Sequence, residues 1–329
     1  MMIEKRTCKL AIENKYGIDI AHLENELIKV TILIGKGTDI LEMIWKPLGI
    51  DCLNKSGRTL EQFKDIDLRT NRLKNHGDMS LGGWMDAVPH RGVCNGIELT
   101  QDNGGISATL PWAYEVMTDS EFVVKLRCFV DLPMVLMHLE KTFTIRKGSP
   151  SLFIEESIIN NSKFEAQFTW TQHALFSGDF VDENVSVIVP TKTVFQPNMY
   201  AKNHEMTGTD LTLYEEPVNR VTCNSGKVYD FNKPLPKDAM DSVFVTFNHL
   251  KKGEVEMYNK KLDLSVCLNW DLNVFPYLRS LYKSDGSTIV GLEPGNDLFS
   301  DFNFSLKHGT FMTMKPGEAI ETWMELKFS

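Results

Sequence analysis

No run of apolar residues in this 329-residue chain is long enough to cross a bilayer as a helix. The most apolar stretch, Phe122 to Leu139, is broken by Lys125, Arg127, Asp131 and Pro133. There is no basic block either. The 35 Lys and Arg stand against 44 Asp and Glu, a net charge of −9 at pH 7 that argues against nucleic acid or an anionic membrane surface as partner. The first nine residues, Met1 to Lys9, carry charge where a secretory leader needs an uninterrupted apolar core. Six cysteines (Cys8, Cys52, Cys94, Cys128, Cys223, Cys267) are scattered without Cys-x-x-Cys spacing, as expected of reduced thiols. Together these absences predict a cytoplasmic protein whose partner is a neutral or polar small molecule.

Several chemistries are missing too. The eight histidines (His22, His76, His90, His138, His173, His204, His249, His308) show no HxxxH, HxH or HExxH spacing, so no catalytic transition metal is expected. Gly35-Lys36-Gly37 lacks the Walker pattern, and no GxGxxG follows a strand, so no nucleotide cofactor is expected. The pairs Ser56-Gly57, Ser177-Gly178 and Ser225-Gly226 do not supply a GxSxG elbow, which leaves acyl transfer unsupported.

What is present is alternation by twos. Leu27 to Ile34 and Leu262 to Leu268 place apolar residues at every second position, the spacing that lines one sheet face. Glu121 to Val130, His138 to Ile145, Ser151 to Asn160, Phe164 to Thr171, Val185 to Val189, Asp241 to Phe247, Ser287 to Leu292 and Phe302 to Lys307 follow the same rule. Helical pattern is confined to Thr59 to Lys64 and a second turn near Leu68 to Leu73. The expectation is one all-β domain over residues 1–329, a sandwich of two large, mostly antiparallel sheets with few helical turns. Its outstanding loops are Leu73 to Gly96 and Gln196 to Asp210.

Two segments set an ionisable residue among aromatic and turn residues. In Phe168 to Gly178, Trp170 lies on a strand face and His173 stands where alternation breaks into a turn. In Val290 to Asp297, an apolar strand ends in Glu293, and Pro294 is expected to terminate the ladder. A His and a Glu on neighbouring strand ends can form an acid–base pair across a substrate. A hydrogen-bonded structural histidine and a solvated turn glutamate would leave the same pattern, and Trp84, Trp112 and Trp270 suit a core as well as a sugar platform.

At these residues the chain resembles the aldose 1-epimerase (galactose mutarotase-like) family. Gly37 to Gly49 continuing to Gly82-Gly83-Trp84 is similar to that family's early strands. Gly148-Ser149-Pro150 leading to Ile158 to Ser162 is similar to the strand before its histidine segment, and Trp170 to Phe176 resembles that segment. Phe275-Pro276-Tyr277 followed by Gly291-Leu292-Glu293-Pro294 resembles its final site strands. The resemblance implies a β-supersandwich that interconverts the anomers of an aldose without metal or cofactor, with His173 and Glu293 as catalytic residues. One departure stands out: Gln101 to Gly105 precedes Leu110-Pro111-Trp112 where many members carry His-Gly, so one sugar-binding histidine is either missing or supplied from elsewhere, with His76 or His90 as candidates. Expected substrate contacts are therefore His76, Trp84, His90, Trp170 and Tyr277. The alternatives are a non-catalytic carbohydrate-binding sandwich of the same fold and, third, a glycoside hydrolase. The latter would need a second carboxylate from Asp179, Asp182, Asp271 or Asp297.

Overall fold

Among the described residues, the alternating segments are realised as two large sheets, one of twelve strands and one of eight, accompanied by a four-stranded and a two-stranded sheet. A computed structural model of the chain describes all residues except 1–6, 67, 69–79, 101–103, 192, 197–211, 216–219, 223–227 and 299–301. At the centre of the larger sheet, Trp84–Ala87, Thr171–Phe176, Thr288–Gly295, Tyr277–Ser284 and Asp241–Asn248 lie side by side in that order. In the smaller sheet, Leu264–Trp270, Ala319–Phe328, Ser151–Asn160, Met137–Arg146 and Val123–Leu132 do the same. Pairing across both centres is antiparallel.

The core is the set of alternate residues that the sheets turn toward each other. Val124, Leu126, Cys128, Leu152, Ile154 and Ile158 come from one sheet, and Val243, Val245, Leu278, Val290 and Leu292 from the other. Each such side chain contributes about 1.5–3 kcal/mol when fully buried, which makes this interface the main term holding the sandwich closed. Among the described residues Cys52, Cys94 and Cys128 are buried thiols rather than disulfides, and no helix is long and apolar enough to cross a membrane.

Four sequence expectations need correction. Phe302–His308 is an α-helix, not a strand. Its six-residue alternation is too short to exclude a helix, and the fully buried Ser305, the Phe304–His308 ring contact one turn apart (4.3 Å), and Gly309 at φ +67° all fit a helix with a left-handed cap. The excursion expected from Leu73 to Gly96 contains the strands Trp84–Ala87 and Gly92–Cys94, the first at the middle of the larger sheet. Phe164 to Thr171 is not one strand: Ala166–Phe168 joins the four-stranded sheet and a new strand begins at Thr171. Finally, Pro294 does not end its ladder. The strand runs Thr288–Gly295 with Pro294 opposite Leu278, so His173 and Glu293 both lie within strands.

The helical turn near Thr59 is a 3-10 turn at Leu60–Phe63, where the Gln62 side-chain oxygen accepts from the Thr59 N–H at 3.3 Å. The second turn falls outside the described residues beyond Leu68, as does the Gln196 to Asp210 excursion beyond Gln196.

Between the sheets, below the centre of the larger one, sits a buried polar cluster. Lys141 Nζ is 2.9 Å from Asp86 Oδ2 and 3.8 Å from Glu156 Oε1. Gln172 Nε2 donates to Glu156 Oε2 at 3.0 Å while its Oε1 accepts from Trp84 Nε1 at 2.8 Å. Trp170 Nε1 donates to Asp86 Oδ1 at 2.6 Å, and Lys36 pairs with Asp39 nearby. Burial pushes the Glu156 carboxyl up to about 8, against the pull of Lys141 and with Asp86 adding to the rise. A folded-state value above the unfolded one means that protonated Glu156 favours the fold. That contribution is full below the ordinary carboxylate range and is lost as pH rises through about 8. Glutamine copies the neutral acid, since its amide can donate to Asp86 and its carbonyl accept from Gln172. Glu156→Gln should therefore gain thermal stability relative to wild type as pH goes from about 5 to about 8; a melting-temperature difference that is flat with pH would count against it.

Candidate active site

The strand Thr171–Phe176 has two chemically different faces. Gln172 points to the buried cluster on the smaller sheet, so alternation turns Thr171 and His173 to the opposite face. Thr171 pairs with Gly295 and Ala174 with Leu292, a register that sets His173 across from Glu293, and Glu293 pairs with Arg279 on the next strand. Three neighbouring strands thus contribute one row: His173, Glu293, Arg279. His173 Nε2 lies 3.4 Å from Glu293 Oε1, and the imidazole is 30% exposed while the carboxylate is 3% exposed. Arg279 Nη2 is 3.7 Å from Glu293 Oε2. A solvent-reachable imidazole against a buried carboxylate is an arrangement that can exchange protons with a bound molecule.

Two residues along the same face, Tyr277 pairs with Gly295. Burial raises the Tyr277 phenol above its ordinary value, with Asp297 adding to the rise, so this hydroxyl stays a donor at neutral pH. Asp297 is fully buried and taken by Arg279 Nη1 at 3.1 Å and 3.2 Å.

His90 lies on the chain that continues from Trp84–Ala87. Its N–H donates to the Thr169 carbonyl at 2.8 Å, four residues before His173 on the adjoining segment. Arg91 Nη1 is 3.1 Å from His90 Nδ1, and because a guanidinium only donates, Nδ1 accepts and a neutral His90 carries its proton on Nε2. The corner is tight: a Cβ at Gly104 would lie 1.5 Å from the His90 carbonyl oxygen. Gly104→Ala should cost at least the ~1–3 kcal/mol typical of overpacking, read as a lower urea midpoint. A wild-type midpoint would show that the corner yields freely.

The tryptophans behave otherwise than expected. Trp84 and Trp170 are 3% and 1% exposed, so neither offers a ring face to a sugar. Their indole N–H groups are engaged by Gln172 and Asp86, and Trp170 packs edge-on against Phe275 at 5.2 Å. Trp84 sits on the core side because it pairs with the inward-facing Ala174, and Trp170 because it lies two residues before the inward-facing Gln172 and bonds Asp86. His76 lies outside the described residues. Among the described residues no group of three or more His, Cys, Asp or Glu is placed to hold a metal ion. Of the carboxylates considered for glycoside hydrolysis, Asp297 is held by Arg279, Asp182 accepts from Asn184 and Asn259, and Asp271 lines a 440 Å³ groove on the smaller sheet with Glu140, Phe153 and Trp323.

Arg279 escaped the reading of the sequence. Its one signal is a charged residue inside the otherwise apolar and aromatic strand Tyr277-Leu278-Arg279-Ser280-Leu281-Tyr282. That pattern implies an inward-facing or paired cation, but only the register shows that its neighbour is Glu293.

The sheet arrangement defines the class: this is the galactose mutarotase-like supersandwich. A candidate aldose 1-epimerase from Klebsiella pneumoniae superposes with TM-score 0.70 at 14% identity, covering 95% of this chain and 79% of that one. A galactose mutarotase-like protein from Clostridium acetobutylicum gives 0.69 at 12% identity over 99% of both chains. A galactose mutarotase related enzyme from Lactobacillus acidophilus gives 0.59 at 15% identity over 94% and 97%. At these identities the likeness is one of fold. By sequence, the chain belongs to the family described as the domain of unknown function DUF4432, whose profile matches residues 130–328. No curated protein matches it.

Proposed function

We propose that the chain is an aldose 1-epimerase, an isomerase that opens and recloses an aldose ring through Glu293 and His173. The observation that carries this reading is the 3.4 Å contact between His173 Nε2 and Glu293 Oε1, with only the imidazole well exposed. In mutarotation a base removes the proton of the C1 hydroxyl while an acid protonates the ring oxygen. Both oxygens are bonded to C1, so an acid and a base that serve them have to stand side by side, as these two do. Glu293 takes the hydroxyl proton, the ring bond breaks as His173 gives its proton to the ring oxygen, C1 turns, and the transfers run backward on closure. Tyr277 is assigned to a hydroxyl contact on the same face, whereas His90, 5% exposed, is as enclosed as the two tryptophans. The scheme uses side chains only.

The test is saturation-transfer NMR or polarimetry on freshly dissolved α-anomers of hexoses, pentoses, uronates and sugar phosphates. Rates above buffer for at least one sugar are expected. A wild-type protein that binds aldoses and never exceeds the buffer rate across that panel would instead identify a carbohydrate-binding module.

A further inference from the structure

We propose that Arg279 is a positioning residue that holds the Glu293 carboxylate with one oxygen turned to His173, being itself clamped by Asp297 and Thr171. This rests on the reading of Glu293 and His173 as the proton-transfer pair. The clamp is fully specified. Arg279 Nη1 contacts Asp297 Oδ1 at 3.1 Å and Oδ2 at 3.2 Å, and donates to Thr171 Oγ1 at 3.0 Å. The guanidinium carbon lies 5.4 Å from the centre of the Phe244 ring, and the residue is 4% exposed. A planar fork held at Nη1, covered by the Phe244 ring and buried on its strand has little freedom left at its other nitrogen, and that nitrogen, Nη2, faces Glu293 Oε2 at 3.7 Å.

A glutamate side chain has three rotatable bonds, and a base works only when the lone pair that takes the proton points at it. Glu293 has two oxygens in different surroundings: Oε2 toward the cation and Oε1 toward the imidazole. At 3.7 Å the arginine attracts Oε2 without the short contact of a hydrogen bond. The carboxylate is thereby steered while its lone pairs stay available. Arg279 is also the direct cross-strand partner of Glu293, so the clamp is built into the pairing of Tyr277–Ser284 with Thr288–Gly295 and needs no loop to close.

The test compares Arg279→Lys, the neutralised pair Arg279→Gln with Asp297→Asn, and Thr171→Val, each by steady-state mutarotation on whichever aldose the wild type turns over fastest. The neutralised pair should lose about 10²-fold in kcat with KM almost unchanged, because Arg279 orients the base and touches no sugar. Arg279→Lys, which keeps the charge and loses the fork, should recover part of that loss. Thr171→Val, which leaves no buried charge unpaired, should lose several-fold in kcat and carries the test if the pair does not fold. A folded pair within threefold of wild-type kcat, or a loss confined to KM, overturns the proposal. Crystal structures of the pair, or of Thr171→Val in its place, test it independently of activity. Glu293 Oε1 withdrawn from His173 Nε2 supports it and an unchanged contact overturns it, whereas a wild type inert on every aldose overturns the epimerase reading alone.

Discussion

Glu293→Gln is expected to leave a folded protein that still binds its sugar and whose kcat falls by about 10²- to 10⁴-fold, the range that one general acid–base transfer supplies. Glutamine keeps the shape of the side chain and removes the proton-accepting charge, so the loss should appear in rate rather than affinity. His173→Asn should lose rate in the same way from the acid side. The two losses should not add: once either transfer fails, the paired route to ring opening is closed and the second deletion has little left to remove. Full additivity in the double variant would mean that the residues act in separate steps, despite the 3.4 Å between them. Retained rate in Glu293→Gln would mean that another group is the base. Asp297 is poorly suited to replace it, being fully buried and held by Arg279 at two oxygens.

That His173 and Glu293 stand out was legible in the sequence; what surrounds them was not. His173 and Glu293 stand out because each is ionisable inside a short segment that alternates by twos, and because the order of weak motifs around them resembles one family. Alternation tells which residues share a face of one strand. It says nothing of which strands adjoin, and adjacency decides which residues stand beside Glu293 here. Trp170 and His173 are three apart and fall on opposite faces, one against Asp86 in the interior and the other beside Glu293. Arg279 and Glu293 are fourteen residues apart in the chain and directly opposed in the sheet. Pro294 misleads for a physical reason: proline withholds a donor, but a strand can pass through it where the flanking pairs hold, and Leu278 with Pro294 remains in register. Phe302 to Lys307 misleads because six residues cannot distinguish a period of two from a helix that buries only Ser305 deeply.

Lys141→Met should be the most destabilising of the substitutions considered, at about 3–5 kcal/mol, the cost of removing one partner from a buried ion pair. The alternation of Met137–Arg146 carries a signal of this: Lys141 falls between Leu139 and Phe143 on the row that faces inward, and it is 6% exposed at the side chain. Burial works to lower the Lys141 ammonium, but Asp86 and Glu156 outweigh it and hold the group above the ordinary lysine range, with Asp39 contributing. Methionine can fill the space beside Trp112, whose ring the ammonium faces at 5.6 Å. It cannot offset the charge it leaves on Asp86, and without the ammonium that pulls it down Glu156 is held more firmly in its neutral form. The double variant Lys141→Met with Glu156→Gln should recover part of the loss above about pH 8 and little below it, because only there does it remove a second carboxylate left without a cation. The effect should reach the site as well. Asp86 and Gln172 face each other in the pairing of Trp84–Ala87 with Thr171–Phe176, and Gln172 immediately precedes His173, so a slackened cluster loosens the strand that carries the imidazole. Urea unfolding followed by tryptophan fluorescence measures the first claim, and mutarotation of the same variant below its unfolding transition the second. A midpoint within the equivalent of about 1 kcal/mol of wild type would show that the cluster specifies strand register without contributing stability, as replaceable buried ion pairs do.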